Sequence, residues 1–108
     1  MKLLTQSAIS KLQAQYKYGN DLDKLKVFVK VYDPCGLGTW FLLNMDPLNP
    51  DCLLAIVQEY ALKIHVVSLT KLEAYRGKDL GMPLDVDPFF MEMNARELWE
   101  RLEKGEYV

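Results

Sequence analysis

Leu25-Lys26-Val27-Phe28-Val29-Lys30-Val31-Tyr32 alternates with a period of two, and six residues later Thr39-Trp40-Phe41-Leu42-Leu43-Asn44-Met45 follows with large apolar side chains at nearly every position. Alternation of that kind is the signature of a strand, because successive side chains leave opposite faces of a pleated backbone. It places Leu25, Val27, Val29 and Val31 on one face, with Lys24, Lys26, Phe28, Lys30 and Tyr32 on the other. The second stretch is apolar on both faces, so it reads as the more central strand. Between them, Asp33-Pro34-Cys35-Gly36-Leu37-Gly38 supplies a fixed φ at Pro34 and two glycines free to take positive φ, the chemistry of a chain reversal. The stretch is therefore a β-hairpin, and the fold is built outward from it.

Asp46-Pro47-Leu48-Asn49-Pro50-Asp51 ends the second strand. Residues 52–58 and 64–68 form two further apolar runs and are read as strands three and four. The run from Leu53 to Leu62 also fits a buried helix, since periodicity alone does not arbitrate for short apolar stretches. Before the hairpin, Thr5 is placed to cap a helix carrying Ile9, Leu12 and Tyr16 at helical spacing, with Gly19-Asn20 as its stop. After strand four, Ser68 or Thr70 caps a two-turn helix through Tyr75, with Glu73 completing a capping box on Thr70 and Gly77 closing it. Leu84-Asp85-Val86-Asp87 and Phe89-Phe90-Met91 look extended, and Pro88, which has no N–H for a ladder, assigns them to a sheet edge. Asn94 and Glu97 make a last capping box, opening a helix with Ala95, Leu98, Trp99 and Leu102 on one face and Gly105 at its end. The fold expected is α+β: an antiparallel sheet of four or five strands with three helices, the first and last packing on one face, in one domain spanning residues 1–108.

Composition narrows the functions. Half of the 108 residues are hydrophobic and 26% are charged, which is globular composition. Thirteen basic and fifteen acidic side chains leave a net charge of −2, so no overall positive field attracts phosphates. The N-terminus turns polar after Leu3-Leu4, and no window approaches the roughly 20 apolar residues of a spanning helix, so a cytoplasmic protein with no membrane partner is expected. Cys35 and Cys52 are the two cysteines, read as free thiols because a core of this size needs no staple.

The chemistry-bearing residues are few. His65 is the sole histidine and alternates within an apolar strand, and a pairing with Cys35 or Cys52 would require an approach that sequence does not show. Three Cys and His residues in total do not fill a structural zinc site. Asp85 and Asp87 share a strand face and would ligate a divalent cation only with a third donor, with His65 the candidate for a metal-dependent hydrolase. Gly36-Leu37-Gly38 lacks the Lys-Ser or Lys-Thr of a phosphate loop. Lys26, Phe28, Lys30 and Tyr32, with Trp40 beside them, form the candidate binding set: lysines and aromatics on one strand face resemble a stacking platform for single-stranded nucleic acid, a reading the net charge disfavours. Trp40, Phe41, Tyr60, Tyr75, Phe89, Phe90, Trp99 and Tyr107 outnumber what turns require, so some are candidates for an exposed protein-binding patch.

The order of motifs carries a resemblance. Pro34-Cys35-Gly36-Leu37-Gly38-Thr39-Trp40, then Asp46-Pro47, then Ser68-Leu69-Thr70-Lys71-Leu72 and Leu80-Gly81-Met82-Pro83 are similar to the turn, Asp-Pro, helix-start and Leu-Gly-Leu-Pro segments of the bacterial domain-of-unknown-function family numbered 2958. The similarity runs over roughly residues 3 to 92. It implies a setting on plasmids, phages and other mobile elements, and it implies no catalytic residues, since that family has no assigned activity. Catalysis needs a placed base, nucleophile or metal, and none can be named here. No catalytic residue, metal or cofactor is assigned, an enzymatic role is left open but unsupported, and the expectation is an accessory factor that binds an unidentified protein partner. A single-stranded nucleic-acid-binding module is the alternative, and a metal-dependent hydrolase the third reading.

Overall fold

The computed structural model describes residues 2–77 and 81–108. Leu80 of the Leu-Gly-Met-Pro segment thus lies outside the described residues. Along the chain run α1 (Gln6–Ala14), a 3-10 turn (Tyr16–Tyr18), β1 (Lys26–Val27), β2 (Lys30–Tyr32), β3 (Thr39–Asp46), β4 (Asn49–Gln58), β5 (Leu62–Ser68), α2 (Leu69–Ala74), β6 (Asp85–Val86), β7 (Met93–Asn94) and α3 (Ala95–Glu103). Five strands form an antiparallel sheet in the order β5-β4-β3-β2-β6, and β1 pairs with β7 in a separate two-stranded ladder. The fold is α+β, as the alternation and helix caps imply. Among the described residues no helix is long and apolar enough to cross a membrane.

The hairpin of β2 and β3 forms at the expected turn, closed by Asp33 N–H donating to Gly38 O at 3.0 Å. The ambiguous run at 53–62 is strand: β4 lies between β3 and β5, pairing Phe41 with Ile56 on one side and Ile56 with Ile64 on the other. It begins at Asn49, three residues before the expected Cys52, because Asp46 pairs with Asn49 across a tight turn. β6 sits at the sheet edge beside Pro88, while residues 89–91 are not strand.

Three expectations are corrected. The stretch from Leu25 to Tyr32 is not one strand: it breaks at Phe28–Val29, and beside β1 the Gln15 side chain stands between it and β3. Its amide donates to Lys26 O (2.9 Å) and Leu43 O (2.8 Å) and accepts from Lys26 N–H (2.9 Å), doing by side chain what a ladder would do by backbone. The faces therefore switch within the stretch: Val27 packs in one core, Val29 and Val31 in the other. Second, α1 and α3 cover opposite faces of the sheet. Trp40 and Leu42 point to a core closed by Leu12 of α1 and Leu72 of α2, while Phe41 and Leu43 point to one closed by Ala95, Leu98 and Leu102 of α3. Burial of β3 on both faces requires a cover on each side. Third, Gly77 does not cap α2, whose C-cap is Tyr75, and its N–H instead donates to Met82 O at 2.8 Å.

Local caps hold the helices where the sheet needs them. Thr5 accepts from Ala8 N–H, Asn94 from Arg96 and Glu97 N–H, and Ser68 from Lys71 N–H. Glu73 does not return to the α2 cap but accepts from Leu3 N–H at 2.9 Å, tying the N-terminal segment to α2. Asp51 binds the Thr70 hydroxyl and N–H and the Ser68 hydroxyl, and these bonds, the Thr70 hydroxyl first, hold its carboxyl below the ordinary value. Gly105, at φ 81°, takes the left-handed conformation that ends α3, with Glu106 N–H returning to Arg101 O at 3.1 Å. That reversal sends residues 106–108 back across the sheet.

Candidate functional site

Residues paired directly across an antiparallel sheet project to the same face. Asp85 pairs with Tyr32, Tyr32 with Thr39, Thr39 with Gln58, and Gln58 with Leu62, so one row crosses all five strands at the end of the sheet. The next row inward on that same face is Lys30, Phe41, Ile56 and Ile64. At nine residues α3 is about 13 Å long, and its apolar stripe packs in the core of Phe41, Leu43 and Ile56. The polar end row becomes the floor of a groove of about 700 Å³, walled by Leu37, Asp87, Phe89 and Tyr107. On the other face of the same turn, Asp33, Cys35, Glu59, Tyr60 and Tyr75 line a second cleft of about 200 Å³. Residues Asp33, Gly36, Leu37 and Gly38 border both, so the turn is a ridge between two hollows.

The ridge is rigid for reasons legible in its contacts. Asp33 is buried; its carboxylate accepts from Cys35 N–H (3.0 Å) and from the Tyr75 hydroxyl (2.8 Å), and Tyr75 meets the Trp40 ring edge-on at 6.1 Å. Neither Gly36 nor Gly38 has positive φ. They are glycine because a Cβ on Gly36 would stand 2.5 Å from Asp33 Oδ2, and one on Gly38 the same distance from the Trp40 ring. The Tyr75 phenol is held above its ordinary value of 10.0, chiefly by the bond to Asp33 and secondarily by desolvation. A folded-state value raised in this way stabilises the fold below the unfolded value, and the contribution is lost as pH rises through the raised one. An absorbance titration is accordingly expected to lose a component displaced above 10.0 in Tyr75→Phe. The stability difference between the two proteins should shrink at alkaline pH.

The binding set read from the sequence is dispersed. Lys26 is exposed on β1 and lies 4.0 Å from Glu92; Phe28 is half-buried under Lys11; Trp40 is buried in the core. Lys30 is buried, its side chain 5% exposed, donating to Val108 O (2.7 Å) and Tyr107 Oη (3.4 Å) and facing Asp87 at 3.8 Å. Only Lys30 and Tyr32 of that set line the groove. Asp85 and Asp87 line it too, whereas His65 belongs to β5 at the opposite edge, four strand spacings or about 19 Å away. The hydrolase trio does not converge. Both cysteines are free thiols, Cys35 exposed and Cys52 accepting from Asn49 at 3.2 Å.

Of the eight aromatics considered for an exposed patch, Trp40 and Phe41 are core, while Tyr60 (94% exposed), Phe89 (88%) and Tyr107 (94%) stand in solvent. Sequence reading missed Leu37, 75% exposed at the tip of the ridge. Its signal was present: a bulky aliphatic between two glycines at a turn tip has no core to serve. A separate hollow of about 550 Å³ at the other end of β3 and β4 has its main polar groups engaged, Asn44 with Gly19 O and Tyr16 with Asp46.

These features define a small α+β protein with helices on both faces of an antiparallel sheet and an aromatic-rimmed ridge at the sheet end. A family model matches residues 3–104, and the chain belongs to that family, described as protein of unknown function (DUF2958). No curated protein and no solved structure matches it.

Proposed function

We propose that this protein is a non-enzymatic, cytoplasmic accessory factor of a mobile element that docks a host or element protein through the ridge at residues 33–38 and its two flanking clefts. The observation that carries the reading is the gathering of Leu37, Tyr60, Tyr75, Phe89 and Tyr107, all exposed, around one rigid turn. Exposed large apolar side chains scattered singly need no explanation, but a cluster rich in Tyr and Phe on a preorganised scaffold has the composition of an interface centre. The polar groups support a protein rather than a polyphosphate partner. Among the described residues Asp33, Glu59, Asp85 and Asp87 line the clefts and Lys30 is the one cation there, so the charge of that lining repels phosphate. The mobile-element setting follows from the family resemblance.

The test is capture of partners by the immobilised protein from nuclease-treated host lysate, beside Leu37→Asp with Phe89→Asp. The wild type is expected to retain a stoichiometric protein at moderate salt, and the double variant to lose it by at least about tenfold, since a central apolar anchor contributes 2 kcal/mol or more. Retention that the nuclease removes, or that the two aspartates leave unchanged, would contradict the reading.

A further inference from the structure

One wall of the 700 Å³ groove is the segment that follows α3, through Tyr107. Beyond Gly105, Val108 is half-buried against the α3 core, and its carbonyl oxygen lies 2.7 Å from Lys30 Nζ, with the Tyr107 ring 4.6 Å beneath that ammonium. Both hydrogen-bond acceptors of Lys30 among the described residues belong to this segment. A buried ammonium stripped of acceptors is costly, so whatever lies on Lys30 must offer an oxygen. The segment is nonetheless open to solvent: Glu106 and Tyr107 are exposed, and Phe89 and Leu37 on the rim remain uncovered with it in place. The family match ends at residue 104, before it begins.

We propose that the groove is a peptide-docking groove, and that residues 106–108 are a strap holding it in the free protein. In the complex the occupant is an extended segment of the protein partner with an aromatic side chain beside a carbonyl or carboxylate oxygen, the pair that Tyr107 and Val108 now supply. This rests on the docking function proposed above and names the chemistry of its partner. A peptide fits better than a nucleotide presenting the same aromatic and oxygen. Asp85 and Asp87 would repel a phosphate, whereas they and the side-chain acceptors of Thr39 and Gln58 can receive peptide N–H groups. Among the described residues the two-residue strand β6 is also the edge of the sheet, beside the groove.

The probe is a fluorescein-labelled peptide of residues 103–108, titrated by anisotropy into the full chain and into the full chain carrying Tyr107→Gly with Val108→Gly. A tethered strap competes at an effective concentration on the order of millimolar, so the loosened chain is expected to bind at least about tenfold more tightly than wild type. Replacing tyrosine in the peptide by glycine, or Lys30→Met in the loosened chain, should reverse the gain. Should Lys30→Met unfold, Phe89→Ala at the exposed rim serves in its place, with loss of affinity again expected. The proposal is overturned if the loosened chain, folded by circular dichroism, binds the peptide no more tightly than wild type, or prefers labelled oligothymidylate. If peptide exchange fails while the capture above still depends on Leu37 and Phe89, the strap is wrong and the docking surface stands. Exchange without capture has the opposite meaning.

Discussion

Phe41→Ala is expected to lower the free energy of unfolding by about 3–5 kcal/mol, a large share of the stability of a domain this size. The ring is fully buried at the centre of β3, paired with Lys30 on one side and Ile56 on the other, and packs at 5.8 Å from Phe90. Truncation leaves a cavity that cannot easily collapse, because β3 is held between two strands and α3 lies on its far side. Urea denaturation should show a lower midpoint with an unchanged slope, the pattern of lost stability without a changed unfolded state. A cost below about 1 kcal/mol would mean that α3 does not close this face.

Gly38→Ala is the second large effect, expected at about 1–3 kcal/mol through overpacking rather than a cavity. The new methyl would stand 2.5 Å from the end of the Trp40 ring, and that indole is 6% exposed with no room to swing aside. Because Trp40 braces Tyr75, which in turn bonds Asp33, a displaced indole is expected to return the Tyr75 titration toward 10.0. Thermal melts and absorbance titration read the two consequences separately. Retained stability with an unmoved tyrosine would show that the ridge is not the rigid body described here.

Much of the fold was written in local pattern. The hairpin, the edge position of β6 beside Pro88 and the Asn94 cap of α3 follow from residue chemistry within a few positions, and each stands where that chemistry puts it. The double-sided apolarity of β3 was read only as the mark of a central strand, and both end helices were expected on one face, although burial on both faces requires a cover on each. What could not be read was anything decided by a distant side chain. Gln15 takes the place of a β3 backbone partner at Lys26 from eleven residues away, and no periodicity signals that. Lys30 alternates like a solvent-facing residue yet is buried, because a segment 78 residues later folds over it. The glycines of the turn were explicable as turn residues, but their real constraint is the nearness of Asp33 and Trp40, which only the tertiary fold sets. The candidate surface was half legible: four of its aromatics stood among those singled out, whereas their meeting at one end of the sheet depends on the strand order.

The central claim is that the ridge itself touches a protein. The most direct measurement places a photo-crosslinking amino acid at Leu37 and, as a control, at Lys17 in the exposed 3-10 turn, and irradiates each in host lysate. A discrete protein adduct from position 37 and none from position 17 is the predicted result. Equal adducts from both positions, or an adduct to nucleic acid alone, would contradict it.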